Sequence, residues 1–195
     1  MLTKAHCSRV LNAVVLAVFV SACTARQPTV VIELDEITAA SITYSQTSFV
    51  MSPDSNFRET NERPYVDIGA IEVNRNRVRE YYLWLGIWDI NYTTGTDKLE
   101  EFESIALLLD GEELPLDVRG WSHEVIGSSK PIYGKLFSDA VDAYYQVTLE
   151  QIRLLAEADG IRLRTRGSAP REFVPWYREE EAKADLAEFF RTVSP

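Results

Sequence analysis

Leu107-Leu108-Leu109-Asp110-Gly111-Glu112-Glu113-Leu114 is the stretch from which the fold class follows. Asp110-Gly111 supplies the two positive φ angles of a two-residue hairpin turn, with apolar residues leading into it and out of it. Pairing Leu109 with Glu112 sets Leu107 opposite Leu114 and Ile105 opposite Leu116, so both strands turn an apolar face the same way. An antiparallel hairpin within residues 104–118 is therefore predicted. Pro115 has no N–H for a further neighbour, which predicts that the second strand is an edge.

Upstream of the hairpin, residues 30–34, 41–51, 65–73 and 79–90 read as strands with little helical periodicity, separated by turn-like stretches such as 52–56. Downstream the character changes. Ala143, Tyr145 and Val147 alternate as in a strand, and Thr148-Leu149-Glu150-Gln151 resembles a capping box that opens a helix over 149–158. Gly160 suits the left-handed residue after that helix, and Ile161-Arg162-Leu163-Arg164-Thr165 alternates again. A last helix is predicted with Pro175 in its first turn and Ala182, Leu186, Phe189 and Val193 along one stripe. The expected architecture is α+β and mainly β, an antiparallel sandwich or curled sheet with two helices near the C-terminus.

The chain has 195 residues, 46% hydrophobic and 26% charged, with 9 glycines and 8 prolines, which excludes collagen-like, disordered and multi-span membrane classes. Thirty acidic against 20 basic residues leave a net charge of −10. Such a surface repels phosphate backbones, so nucleic acid is not expected as a partner.

The N-terminus reads separately from the rest. Lys4 and Arg9 precede an apolar run from Val10 to Val20 interrupted only by Asn12, followed by Ser21 and Ala22, the pattern of a secretory signal peptide over residues 1–22. As a helix the run to Ala22 would span only about 20 Å, short of a hydrocarbon core of about 30 Å. Its end, Val20-Ser21-Ala22-Cys23, resembles the lipobox of bacterial lipoproteins. The resemblance implies cleavage between Ala22 and Cys23, with Cys23 lipidated as the new N-terminus. Cys7, the other cysteine, falls in the signal, so the processed chain has no second thiol for a disulfide. Thr24 and Ala25 stand where an aspartate would imply retention in the inner membrane, so the resemblance implies the outer membrane. Residues 23–29 then form a short tether, and 30–195 a single globular domain.

Three groups of residues are candidates for a site. Tyr82, Trp84, Gly86, Trp88 and Ile90 share one face of the 79–90 strand, and Tyr81, Leu83, Leu85 and Ile87 the other. An apolar strand on both faces reads as central; alternatively, Trp84 and Trp88 about a glycine notch would stack on a sugar, lipid or aromatic ligand. Arg162, Arg164 and Arg166 alternate on one strand, with Arg171 following, and match an anionic group unless Glu179-Glu180-Glu181 folds back to pair with them. Asp97, Glu100, Glu101, Glu103, Asp110, Glu112 and Glu113 gather charge about the hairpin, but their spacing is not that of a calcium-binding loop.

Catalytic signatures are sparse. His123 is the sole histidine beyond the signal, and no G-x-S-x-G, S-x-x-K or H-E-x-x-H pattern occurs. No cofactor or metal is expected. These readings converge on a non-catalytic envelope lipoprotein that binds or scaffolds a protein partner at the membrane surface. The alternatives are a glycan-, lipid- or small-ligand-binding lipoprotein using Trp84, Trp88 or the arginine strand, and a glycosidase-like enzyme built on two carboxylates.

Overall fold

A computed structural model describes residues 29–54, 64–89, 100–135, 137–167 and 170–194. The signal, Cys23 and nearly all of the tether lie outside them, as do Asp97 and Ile90. The described residues form ten strands: β1 Val30–Asp35, β2 Ala40–Ser45, β3 Phe49–Pro53, β4 Pro64–Arg75, β5 Val78–Asp89, β6 Ser104–Leu109, β7 Glu112–Gly120, β8 Val141–Val147, β9 Ile161–Thr165 and β10 Glu172–Tyr177. Two helices accompany them, α1 Leu149–Glu157 and α2 Glu179–Val193.

The hairpin forms in the register read from the sequence, Leu109 with Glu112, Leu107 with Leu114 and Ile105 with Leu116. Asp110 and Gly111 take φ values of 52° and 89°, as a two-residue turn between right-twisted strands demands. The capping box forms too. Thr148 Oγ1 accepts the Gln151 N–H at 3.1 Å, and the Gln151 side-chain carbonyl accepts the Thr148 N–H at 2.8 Å.

The sheet is neither a sandwich nor an open curl. Eight strands close on themselves in the order β4, β3, β10, β9, β6, β7, β8, β5 and back to β4, every pair antiparallel. The closing strand is β10, where the sequence pattern predicted the opening of the last helix. Pro175 lies inside β10 opposite Met51, and a register shift between Pro175 and Tyr177 accommodates the missing N–H. Helix α2 starts four residues later, at Glu179.

Long strands make the closure possible. β4 pairs with β5 over twelve residues on one side; on its other side it takes β3 at Ile68–Val66 and β2 at Ile71–Asn74. The predicted strand over 41–51 is thereby divided into two, and the β1–β2 hairpin extends the sheet from β4 beyond the closed barrel. β7 is an edge only over its first half, because Val118 and Gly120 pair with Tyr145 and Tyr144 of β8. Gly160 is not left-handed: α1 ends on extended backbone at Ala158, and Gly160 N–H donates to Asp110 Oδ1 at 2.7 Å, tying the hairpin turn to the α1–β9 connection.

The barrel interior is filled rather than hollow. Phe49, Ile68, Leu83, Leu85, Leu107, Tyr145 and Phe173 meet Ile152 and Leu155 of α1 and Leu186 and Phe189 of α2, all essentially without exposure. A second apolar layer lies outside, where Ile42, Ile71, Tyr82, Trp84 and Tyr144 are covered by Ile126, Ile132 and Tyr133 from the β7–β8 connection. β5 is thus apolar on both faces because both are covered. Among the described residues no helix is long and apolar enough to cross a membrane.

Candidate binding surface

The barrel wall commits most of the side chains with chemical potential. Trp84 is 4% exposed, stacked on Tyr133 with ring centres 4.4 Å apart, and its indole N–H donates to Asp142 Oδ1 at 3.0 Å. Trp88, 7% exposed, stacks on Tyr65 at 4.5 Å. Gly86 between them is roofed by the ring of Trp84 itself. The tryptophans that the sequence nominated for stacking on a ligand therefore stack on tyrosines of the same chain.

Gly86 also marks where two carboxylates align, Asp67 on β4 and Asp142 on β8, each its direct cross-strand partner. Their environments differ. Asp142 is held by Trp84 and by Lys135 Nζ at 3.6 Å. Among the described residues Asp67 Oδ1 has no hydrogen-bond partner, and burial pushes its carboxyl up to about 6, only partly offset by the neighbouring Trp88 indole.

The arginine strand is an ion-pair ladder. Arg164 donates through Nε and Nη2 to Glu172 Oε1 at 2.8 and 2.6 Å, and the two residues are cross-strand partners in β9 and β10. Arg162 bridges Asp54 and Glu172, Arg166 meets Glu113, and Arg171 meets Glu101. The partners are not Glu179, Glu180 and Glu181. Strand register puts Glu172 directly beside the arginines, whereas Glu179 and Glu181 pair with Lys183 and Arg178 on their own helix. Glu101, Glu113 and Asp110 of the acidic hairpin region are accordingly engaged, and among the described residues no three carboxylate, histidine or cysteine groups converge as metal ligands. His123 sits in a short 3-10 turn, 123–126, with Glu124 at 3.6 Å.

One surface that the barrel leaves open lies at the junction of β10 and α2. Trp176 is 58% and Tyr177 53% exposed, and Arg178 follows them. Arg178 takes a left-handed φ of 54°, a conformation that branched and long side chains adopt at a cost. This kink turns the chain from strand into helix and leaves the three side chains outside. The Arg178 guanidinium lies 5.2 Å over the Tyr177 ring. Trp176 contacts Tyr65 at 5.0 Å, so a row of rings runs from buried Trp88 through Tyr65 to exposed Trp176.

Beside this rim opens a cleft of about 780 Å³, lined by Gln46, Thr47, Ser48 and Val50 on one side and Tyr177, Arg178 and Asp185 on the other. Asp185, 5% exposed, receives the Thr47 N–H at 3.1 Å and so fixes the β2–β3 connection against α2. Sequence reading missed this surface because Pro175 pointed to a helix start. The signal was present in Phe173, Trp176 and Tyr177, aromatic residues that favour strands.

No protein-family model, curated protein or solved structure matches this chain.

Proposed function

We propose that the chain is a non-catalytic lipoprotein of the cell envelope, anchored through Cys23, most simply in the outer membrane, whose barrel holds a protein partner at the membrane surface. The observation that carries the reading is the exposed run Trp176-Tyr177-Arg178 beside the cleft. Tryptophan, tyrosine and arginine are the residues enriched among those that dominate binding energy at protein interfaces, and here Tyr177 and Arg178 line the cleft with Trp176 next to them. The run ends on a left-handed residue, Arg178, at the helix start.

The test is cross-linking of tagged protein in intact cells, comparing the wild-type chain with Cys23→Ala and with a Trp176→Ala/Tyr177→Ala double variant. An envelope protein captured by the wild type and reduced at least tenfold in the double variant supports the reading; Arg164→Ala, on the ion-pair ladder, should capture normally. Equal capture by the double variant would sink it.

A second reading has its own observation. The cleft offers hydroxyl, amide, guanidinium and carboxylate groups around the Tyr177 ring, the mixture that a sugar ring requires. Saturable quenching of Trp176 emission by soluble cell-wall oligosaccharides would favour it over a protein partner.

A further inference from the structure

The free edge of the sheet, at β1, carries a second feature. Among the described residues β1 is the terminal strand, paired only with β2, and its register runs without a bulge. The Gln46 N–H donates to the Thr29 carbonyl at 2.9 Å, which fixes the alternation: Val31, Glu33 and Asp35 turn their backbone groups toward β2, and Val30, Ile32 and Leu34 turn theirs outward. Ile32 is 63% and Leu34 66% exposed, with Ile37 at 85% in the adjoining turn. An unpaired edge with exposed β-branched and aliphatic residues is a template for another strand.

Natural edges are normally guarded by charge, yet here both acids of β1 are engaged inside the molecule. Glu33 meets Lys130 Nζ at 3.1 Å. Asp35 accepts from Ser129 N–H at 2.6 Å and Ser129 Oγ at 2.7 Å, and the Ser129 N–H above all holds its carboxyl well below the usual carboxylate range. The strand therefore presents an edge whose acids are already paired within the chain, on a protein of net charge −10.

We infer that the occupant of this edge is β1 of a second copy, paired antiparallel about a two-fold axis through Ile32. Alternation restricts an axis to a residue position, since an axis between residues would set outward against inward backbone groups. An axis at Glu33 opposes two like charges at a cross-strand distance. An axis at Val31 pairs Val30 with Ile32 but leaves the outward groups of Leu34 without a partner inside β1. With Ile32 on the axis all of β1 is used: Ile32 faces Ile32, Val30 faces Leu34, and Glu33 faces Val31 while keeping Lys130. The outward amides of Val30, Ile32 and Leu34 gain partners, and the exposed side chains of the two copies form one stripe. Such an interface is small, so the dimer is weak in dilute solution and favoured where the copies are concentrated.

Cysteine scanning tests the register. In a full chain carrying Cys7→Ser and Cys23→Ser, the Ile32→Cys variant should form a covalent dimer under mild oxidation. Hydrogen-bonded cross-strand partners stand about 5.5 Å apart at Cα, within disulfide range. Ile37→Cys, off the axis but more exposed, should cross-link at least tenfold more slowly. Sedimentation of the unmodified chain should show concentration-dependent dimers, with Ile32→Lys raising the dissociation constant at least tenfold; the site is already exposed, so the variant folds. Equal cross-linking at positions 32 and 37, or a monomer at all concentrations, overturns the inference. So does vesicle binding that Ile32→Lys abolishes while the chain stays monomeric, which would assign the patch to lipid.

Discussion

Asp67 and Tyr133 show how single side chains are set by what lies across the sheet. Asp67 has a native value of about 6 against 3.8 in an open chain, because burial penalises its charge. The native state thus holds this proton more tightly, so the associated stability is fully present below about pH 4 and lost as pH rises through 6. Asp67→Asn should remove the cost of the buried charge, stabilising the protein at pH 7.5 by on the order of 2 kcal/mol and raising Tm by roughly 4–8 °C. The advantage over wild type should shrink between pH 6 and 4, and paired thermal melts across that range check it. Tyr133 is held by Trp84 beneath it and by its hydroxyl, which lies 2.8 Å from the Ser45 carbonyl and 3.1 Å from the Ala70 carbonyl. A Cβ at Gly69 would stand 2.3 Å from its Cζ. Gly69→Ala should therefore destabilise by about 1–3 kcal/mol, read as a lower urea midpoint with an unchanged slope. Neither relation is visible in the sequence, since Gly69 and Tyr133 lie 64 residues apart.

At the scale of elements, local chemistry was decisive wherever both partners lie within a few residues. The Asp110-Gly111 turn and the Thr148 to Gln151 capping box form as the sequence predicts, because the groups that satisfy them are neighbours along the chain. Thr148→Ala should cost about 1 kcal/mol in urea unfolding, and Thr148→Ser should restore most of it. The element misread was β10. Proline in a first helical turn is a common local signal, but Pro175 lies opposite Met51, 124 positions away, and the pairing of β10 with β3 and β9 outweighs it. The candidate rim was hidden by the same misreading, since a residue judged helical is not examined as the exposed end of a strand.

For the whole molecule, closure of the barrel is the main organising feature. β10 links β3 to β9, and α2 places Leu186 and Phe189 in the interior, so the C-terminal quarter is needed for the first half to have a core. A chain ending at residue 167 should lose cooperative thermal unfolding and bind a hydrophobic dye, because the β3 and β9 edges and the barrel interior would be open to water. A sharp transition near the wild-type Tm would show that closure is dispensable. Charge is also arranged at this scale: acids outnumber bases by ten, yet the one dense arginine cluster is matched by Asp54, Glu101, Glu113 and Glu172, which come from four separate elements or connections.

The sequence by itself determined the antiparallel, mainly β character, the hairpin register, the first helix with its cap, and the apolar stripe of the second, because periodicity and turn chemistry act over a few residues. The resemblance of Val20-Ser21-Ala22-Cys23 to a lipobox, on which the proposed anchor rests, is likewise a reading of consecutive residues. Only the tertiary structure decided that the sheet closes into a barrel, that Trp84 and Trp88 stack inward, that the arginines are paired, and that Trp176, Tyr177 and the β1 edge face out. Those outcomes rest on which strands become neighbours, and strand pairing is settled by the burial of the whole interior at once.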